Sequence, residues 1–280
     1  MIYDITASIV LYNNNFNELK SIIELVNNTN LNIKLVFIDN SKKENEDFKI
    51  NLNHKFEYIH TDKNLGYGKG QNEALKIVHY KSKFHIFLSS DIKLEKNFFY
   101  QVNEFMLNHE KVFVLAPKML NFNNSLQFSL RCFPTPLDLF LRFVPKKINL
   151  FQKISNKYEI QKTYDDNKFL SVPVVSGAVV IFKNKIDLDK VSFDKRYFMY
   201  MEDVDWCRKI KPYYEIYYNP EIVIYHKQNA SSKKNIYMFF VHLYSAFKYF
   251  NKWGWFLDHM TLNFNNSIKY VAKSELKNFN

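Results

Sequence analysis

Ile5 to Tyr12 is a nearly unbroken apolar, β-branched run, and Asn13-Asn14-Asn15 ends it. Leu19, Ile22, Ile23 and Val26 then recur at helical spacing, and Lys34 to Ile38 is apolar again. This order of strand, helix and strand constrains the fold more than any other feature. Strands apolar on both faces belong inside a parallel sheet, whose neighbours are joined by right-handed crossovers. Ligands of such sheets gather beyond the carboxyl ends of the strands. Asn13 and Asp39 both fall there, which makes them binding candidates.

The pattern continues with strands at Phe56 to His60, Phe84 to Leu88 and Val112 to Ala116. Asn64 through Asn72 follows the first of these, holds three of the five glycines, and runs into a helix over Glu73 to Val78. Glycines before a helix let backbone N–H groups approach an anion, and Lys69 adds charge; a tight turn at a helix entry explains them equally. Their spacing matches neither the dinucleotide fingerprint nor a P-loop. Ser89-Ser90-Asp91 ends the fourth strand. A carboxylate there suits Mg²⁺ or Mn²⁺, which need only one or two protein carboxylates beside phosphate oxygens; it also suits an N-cap for a helix over Leu94 to Leu107. Val172 to Phe182 reads as one strand, with Ser176-Gly177 permitting close backbone approach by a ligand.

Glu202, Asp203 and Asp205 are three carboxylates in four residues, walled by Phe198, Met199, Tyr200, Met201 and Trp206. In a helix start, Glu202 and Asp205 share a face and Asp203 points elsewhere. An aromatic wall raises carboxylate pKa values and makes a better base near neutrality. The helix dipole alone also favours acids in a first turn. A paired-carboxylate hydrolase is the rival chemistry, but it needs no glycine loop.

Hydrophobic residues make up 47% of the 280, enough for a sizeable core, and the formal charge of +11 calls for an anionic partner or surface. The lysines are scattered and no recognition module is visible, so nucleic acid is not expected. Cys132 and Cys207 form no disulfide framework, the amino end carries no signal-peptide pattern, and no apolar run reaches bilayer length. A cytoplasmic protein is expected, with one α/β domain over 1–226 and a basic, aromatic helical extension over 227–280. Phe239, Leu243, Ala246, Phe247 and Phe250 line one face of that extension. With the stretch Leu137 to Lys147, it suits either packing on the parent domain or the surface of the inner membrane.

Seven segments in order resemble the family 2, GT-A-fold glycosyltransferases, in particular the rhamnosyltransferase-like branch. They are Ser8 to Asn13, Val36 to Ser41, Asn64 to Asn72, Leu88 to Ile92, Val175 to Ala178, Phe193-Asp194 with Tyr197 to Arg208, and His226. The resemblance implies a Rossmann-like, mostly parallel sheet flanked by helices and a nucleotide-sugar donor such as dTDP-L-rhamnose. It assigns the donor to Leu11, Asn13, Asp39, Asn40, Asn64, Gly66, Gly68, Lys69, Asn72 and Ser90, and a divalent cation to Asp91 and His226. Ser89-Ser90-Asp91 departs from the family's usual Asp-x-Asp. Asp203 matches the catalytic base of an inverting displacement, with Glu202 beside it. Ser176, Gly177 and Arg208 would meet the acceptor, a lipid-linked or growing surface glycan. A non-catalytic nucleotide-sugar-binding module is the alternative.

Overall fold

The computed structural model describes residues 2–141, 158–160, 165–227, 235–256 and 259–276. Pro145-Lys146-Lys147, the basic flank expected beside Leu137, lies outside them.

The chain opens with β1 (Tyr3–Leu11), α1 (Phe16–Asn28), β2 (Ile33–Asp39), α2 (Glu46–Asn51), β3 (Phe56–His60), α3 (Tyr67–Val78) and β4 (Ser82–Leu88). Asn15 and Asn45 cap α1 and α2, each side chain accepting a backbone N–H two residues on. Then come β5 (Ile92–Leu94), α4 (Phe98–Asn108), β6 (Val114–Leu120), β7 (Leu130–Arg131) and α5 (Pro136–Leu141). The second half holds β8 (Leu170–Val172), β9 (Val174–Val175), β10 (Val179–Lys183), α6 (Leu188–Val191), α7 (Glu202–Ile210) and β11 (Ile216–His226). The chain ends on α8 (Ile236–Trp253), α9 (His259–Asn266), β12 (Lys269–Tyr270) and a 3₁₀ turn over Lys273–Leu276.

One sheet runs in the order β12-β8-β11-β6-β10-β4-β1-β2-β3, with β5 paired to β11. Its β4-β1-β2-β3 half is parallel throughout, and β10 enters antiparallel between β4 and β6. This is the mostly parallel α/β architecture that the opening pattern predicts. Alternation along each strand sorts the two faces. Ile5, Ala7, Ile9, Leu35, Phe37 and Ile86 pack on α1, α2 and α4, whereas Val36 and Ile38 meet Ala74 and Val78 of α3. The other face of β1 also carries a polar seam. Thr6 Oγ1 and Ser8 Oγ lie 2.8 and 2.9 Å from the two ring nitrogens of His85, and Ser8 Oγ donates to Gln71 Oε1 at 2.5 Å. Burial pushes His85 down to about 3, so the ring is neutral and its bonds are fully internal.

Three boundaries differ from expectation. The run Val172 to Phe182 is three short strands: Pro173 cannot extend the ladder between β8 and β9, and Ser176-Gly177 turns the chain before β10. The helix expected from Leu94 begins at Phe98 behind Asn97, so Asp91 does not cap it. In α8, Ala246 and Phe250 are buried while Leu243 and Phe247 are exposed, so the expected single apolar face is divided between core and solvent.

Candidate active site

The carboxyl ends of β1, β2 and β4 open into a cavity of about 530 Å³ lined in part by Val10, Asn40, Asn64, Gly66, Tyr67, Ser89, Ser90, Asp91, Met199 and Lys227. Its floor is built by the sheet and its rim by the loops that leave it, as the fold dictates.

Asp91 is the best-organised group there. Ser89 Oγ donates to Asp91 Oδ1 at 2.5 Å, and His226 Nε2 lies 3.2 Å from the same oxygen. His226 comes from the end of β11, and its Nδ1 is 2.7 Å from Gln127 Oε1. Burial works to raise the Asp91 carboxyl, but His226 and Ser89 together hold it below its ordinary value. It is therefore an anion at neutral pH. Two cis ligands of an octahedral ion, each at about 2.1 Å, sit about 3 Å apart. The Asp91–His226 spacing fits that donor pair, with a held imidazole as a metal-ligating His has. Among the described residues no cluster of three or more His, Cys, Asp or Glu could hold a metal. A cation here would take its remaining ligands from water and substrate, as Mg²⁺ commonly does.

Tyr67 connects this corner to the acids of α7. Its hydroxyl donates to the Gly177 carbonyl at 2.6 Å, and the Gly177 N–H donates to Asp203 Oδ2 at 3.3 Å. Burial raises the Tyr67 phenol above its ordinary value, and the neighbouring acids add smaller upward contributions. Asp203 is half-buried, and its Oδ1 accepts the Val204 N–H at 2.9 Å. Glu202 is buried, and its Oε2 has no hydrogen-bond partner among the described residues. Burial first, then the Asp203 charge, pushes its carboxyl up to about 8, so Glu202 is protonated at neutral pH.

The turn before α7 is strained. Tyr200 and Met201 are consecutive non-glycine residues in the left-handed region, at φ 66° and 64°. Helix α8 holds them there: Ser245 Oγ donates to the Met199 carbonyl at 2.8 Å, and the His242 ring lies 4.8 Å from that of Tyr200.

Several expected donor residues are used otherwise. α3 begins at Tyr67, so Gly68, Lys69 and Gly70 form its first turn rather than a loop. A Cβ on Gly68 would stand 2.9 Å from Phe193 Cβ, and one on Gly70 would stand 2.7 Å from a Val10 methyl. Those glycines serve helix-to-core packing. Gly66 does meet the cavity: at φ 81° its Cβ would lie 2.0 Å from the Phe198 carbonyl, and Asn40 Nδ2 donates to its carbonyl at 3.1 Å. Asn72 spends its amide on the Phe193 backbone, at 2.8 and 2.7 Å. Asp39 is buried, accepting from Tyr58 OH at 2.6 Å and the Ser41 N–H at 2.9 Å. Leu11 is core. Asn13 faces a neighbouring hollow of about 360 Å³ with Asn14, Ser41 and Lys43.

Of the expected acceptor residues, Ser176 and Gly177 sit beside Asp203, but Arg208 does not. Its guanidinium is buried, 4.9 Å from the Trp253 ring centre and 5.6 Å from that of Phe133, so it ties α7 to α8. Asp205, the third acid, is likewise structural, bound by Lys252 Nζ and Trp253 Nε1 at 2.7 Å each. Tyr67 and Lys227 were not foreseen as wall residues. An aromatic inside a glycine run and a lysine directly after His226 were the available signals.

Residues 6–187 match the model of the family described as Glycosyl transferase family 2. Among solved structures, S. aureus TarS is similar at a TM-score of 0.52 and 15% identity over 85% of this chain and 39% of that one. The S. aureus TarS fragment 1–349 is similar at 0.50 and 17%, over 85% and 64%. The chain thus spans less than two thirds of either, and at these identities the likeness shows the fold alone. No curated protein matches.

Proposed function

Since the chain belongs to glycosyl transferase family 2 and is a glycosyltransferase, we propose that it transfers L-rhamnose, from dTDP-L-rhamnose, to a lipid-linked or growing surface glycan with inversion. One observation carries the site assignment: Tyr67 lines the cavity beside Asp91 and bonds to Gly177, which itself bonds to Asp203.

Asn40, Asn64 and Gly66 shape the donor's side of the cavity, and α3 starts at its wall with Tyr67, where a helix N-terminus suits the charge of a diphosphate. Asp91 and His226 are the residues that would hold a divalent cation, which when bound supplies charge neutralisation to a departing diphosphate. Asp203 takes the proton from the acceptor hydroxyl as that oxygen bonds to the anomeric carbon. The bond from that carbon to the diphosphate oxygen breaks, and its electron pair leaves with the nucleotide. Gly177 N–H holds the Asp203 carboxylate in aim, and the buried Glu202 beside it is protonated.

Thermal stabilisation by a panel of dTDP- and UDP-sugars, with and without Mn²⁺, tests this reading, because a ligand that binds only the native state raises its melting point. The expected outcome is strongest stabilisation by dTDP-L-rhamnose with Mn²⁺. Stabilisation by none of the panel overturns the reading.

A further inference from the structure

Helix α8 has two unlike faces. His242, Ser245, Ala246, Tyr249 and Phe250 are buried, whereas Ile236, Tyr237, Phe240, Leu243, Tyr244 and Phe247 are between 51% and 72% exposed. At about 100° per residue, those six fall within an arc of about 120°. Trp255 extends the patch: its ring centre lies 5.5 Å from that of Phe247, and Phe256 next to it is 91% exposed. A stripe of exposed apolar side chains along one helix face marks an interaction site. No helix among the described residues is long and apolar enough to cross a membrane.

We infer that this face of α8 lies in the plane of an anionic bilayer surface, its aromatic and aliphatic side chains at the headgroup boundary. Charge selects that occupant. The helix contains no acidic residue, and Lys248 at the edge of the stripe bonds to the Arg196 carbonyl at 2.6 Å, which brings exposed Lys195 alongside, while the Arg196 guanidinium is paired with Asp194 at 2.5 Å. A second copy would bring another chain of charge +11 against the first, whereas anionic headgroups attract it. Tyr, Phe and Trp with flanking lysines are the composition of an interfacial helix.

The opposite face of the same helix touches the catalytic region. Ser245 bonds to Met199, and Met199 lines the cavity. A docked α8 thus sets the cavity wall one helix diameter, roughly 10 Å, from the headgroups. Resting on the transferase reading, this makes the acceptor an amphiphile whose apolar part stays in the bilayer.

Flotation with phosphatidylcholine vesicles, with and without phosphatidylglycerol, tests the surface on the full chain. Wild type is expected to float with the anionic vesicles and to be released by salt, and Phe240→Glu with Phe247→Glu to cut the bound fraction at least about tenfold. Phe240→Ser with Phe247→Ser, which adds no charge, is expected to act in the same direction. Wild type that stays at the bottom overturns the inference, as does a dimer in light scattering that the double variant dissociates. Nucleotide-sugar stabilisation is read separately. Its failure alone overturns the transferase reading and leaves the docking surface standing; absent flotation with donor binding intact overturns the surface alone.

Discussion

The phenol of Tyr67 and the carbonyl of Gly177 are joined by a 2.6 Å hydrogen bond across 110 residues of sequence. It fixes the start of α3, at the cavity wall, to the segment whose Gly177 N–H meets Asp203. Tyr67→Phe leaves the buried carbonyl without its donor, at a cost of about 1–2 kcal/mol. At about 2–4 °C per kcal/mol the melting point drops by several degrees, which calorimetry reads. Transfer is expected to fall further than stability does, because the aim of Asp203 goes with it. Unchanged turnover in a destabilised variant would confine Tyr67 to a packing role.

Asp203→Asn keeps the shape of the side chain and removes the proposed base. Radiolabelled sugar transfer is expected to fall by about 10²–10⁴-fold, the usual contribution of a positioned base, while calorimetry finds donor affinity unchanged. Near-wild-type transfer would sink the assignment.

His226→Ala takes away one member of the Asp91 pair. The Mn²⁺ concentration giving half-maximal rate is expected to rise by more than the factor of about 10–100 expected of Ser89→Ala, since Ser89 only orients the carboxylate. Electron paramagnetic resonance of free Mn²⁺, titrated with protein and nucleoside diphosphate, reads the same affinity without turnover. Equal curves for wild type and His226→Ala would remove His226 from the cation site.

Glu202 has a pH signature of its own. Its folded carboxyl stands at about 8 against an ordinary 4.5, so the native state binds a proton that the unfolded chain has already lost. Its contribution to stability is complete below about pH 4.5 and disappears as the pH climbs through 8. Glu202→Gln cannot titrate. Scanning calorimetry from pH 5 to 9 is expected to show wild type losing melting temperature relative to the variant as pH rises, and parallel profiles would refute the buried proton.

Gly68→Ala tests the packing role given to that glycine. The added methyl meets Phe193 Cβ at 2.9 Å. Overpacking of this kind costs about 1–3 kcal/mol, more than the helix gains from Ala. Denaturant unfolding is expected to show a lower midpoint with an unchanged slope, and a stabilised variant would contradict close packing there.

The parallel half of the sheet was legible because a strand buried on both faces leaves no ambiguity of period, as Ile5 to Tyr12 and Lys34 to Ile38 illustrate. The strand ends then located Asn40, Ser90 and Asp91, which the fold brings to one cavity. What was not legible depended on direction and packing rather than residue type. Glycine is a poor helix former, so Gly68 and Gly70 read as loop, although contact with Phe193 and Val10 demands a residue without a side chain inside α3. Apolar content hid the breaks at Pro173 and Ser176-Gly177. Arg208 sits five positions after Asp203 yet points toward Trp253, and Asp39 ends a strand yet turns toward Tyr58. Tyr67 looks like one more core aromatic until its partner, over a hundred residues away, is placed beside it.

The backbone before Glu202 has a consequence for how the reactive end keeps its aim. Left-handed geometry costs an ordinary residue about 1–2 kcal/mol, and Tyr200 and Met201 adopt it in succession. The clasp that holds this crank shut is far away in sequence, at His242 and Ser245. Glycine at either position would make the bend easier to form and slacken it at once. The discomfort of two side chains is what makes the acids behind them answer to the last long helix of the chain.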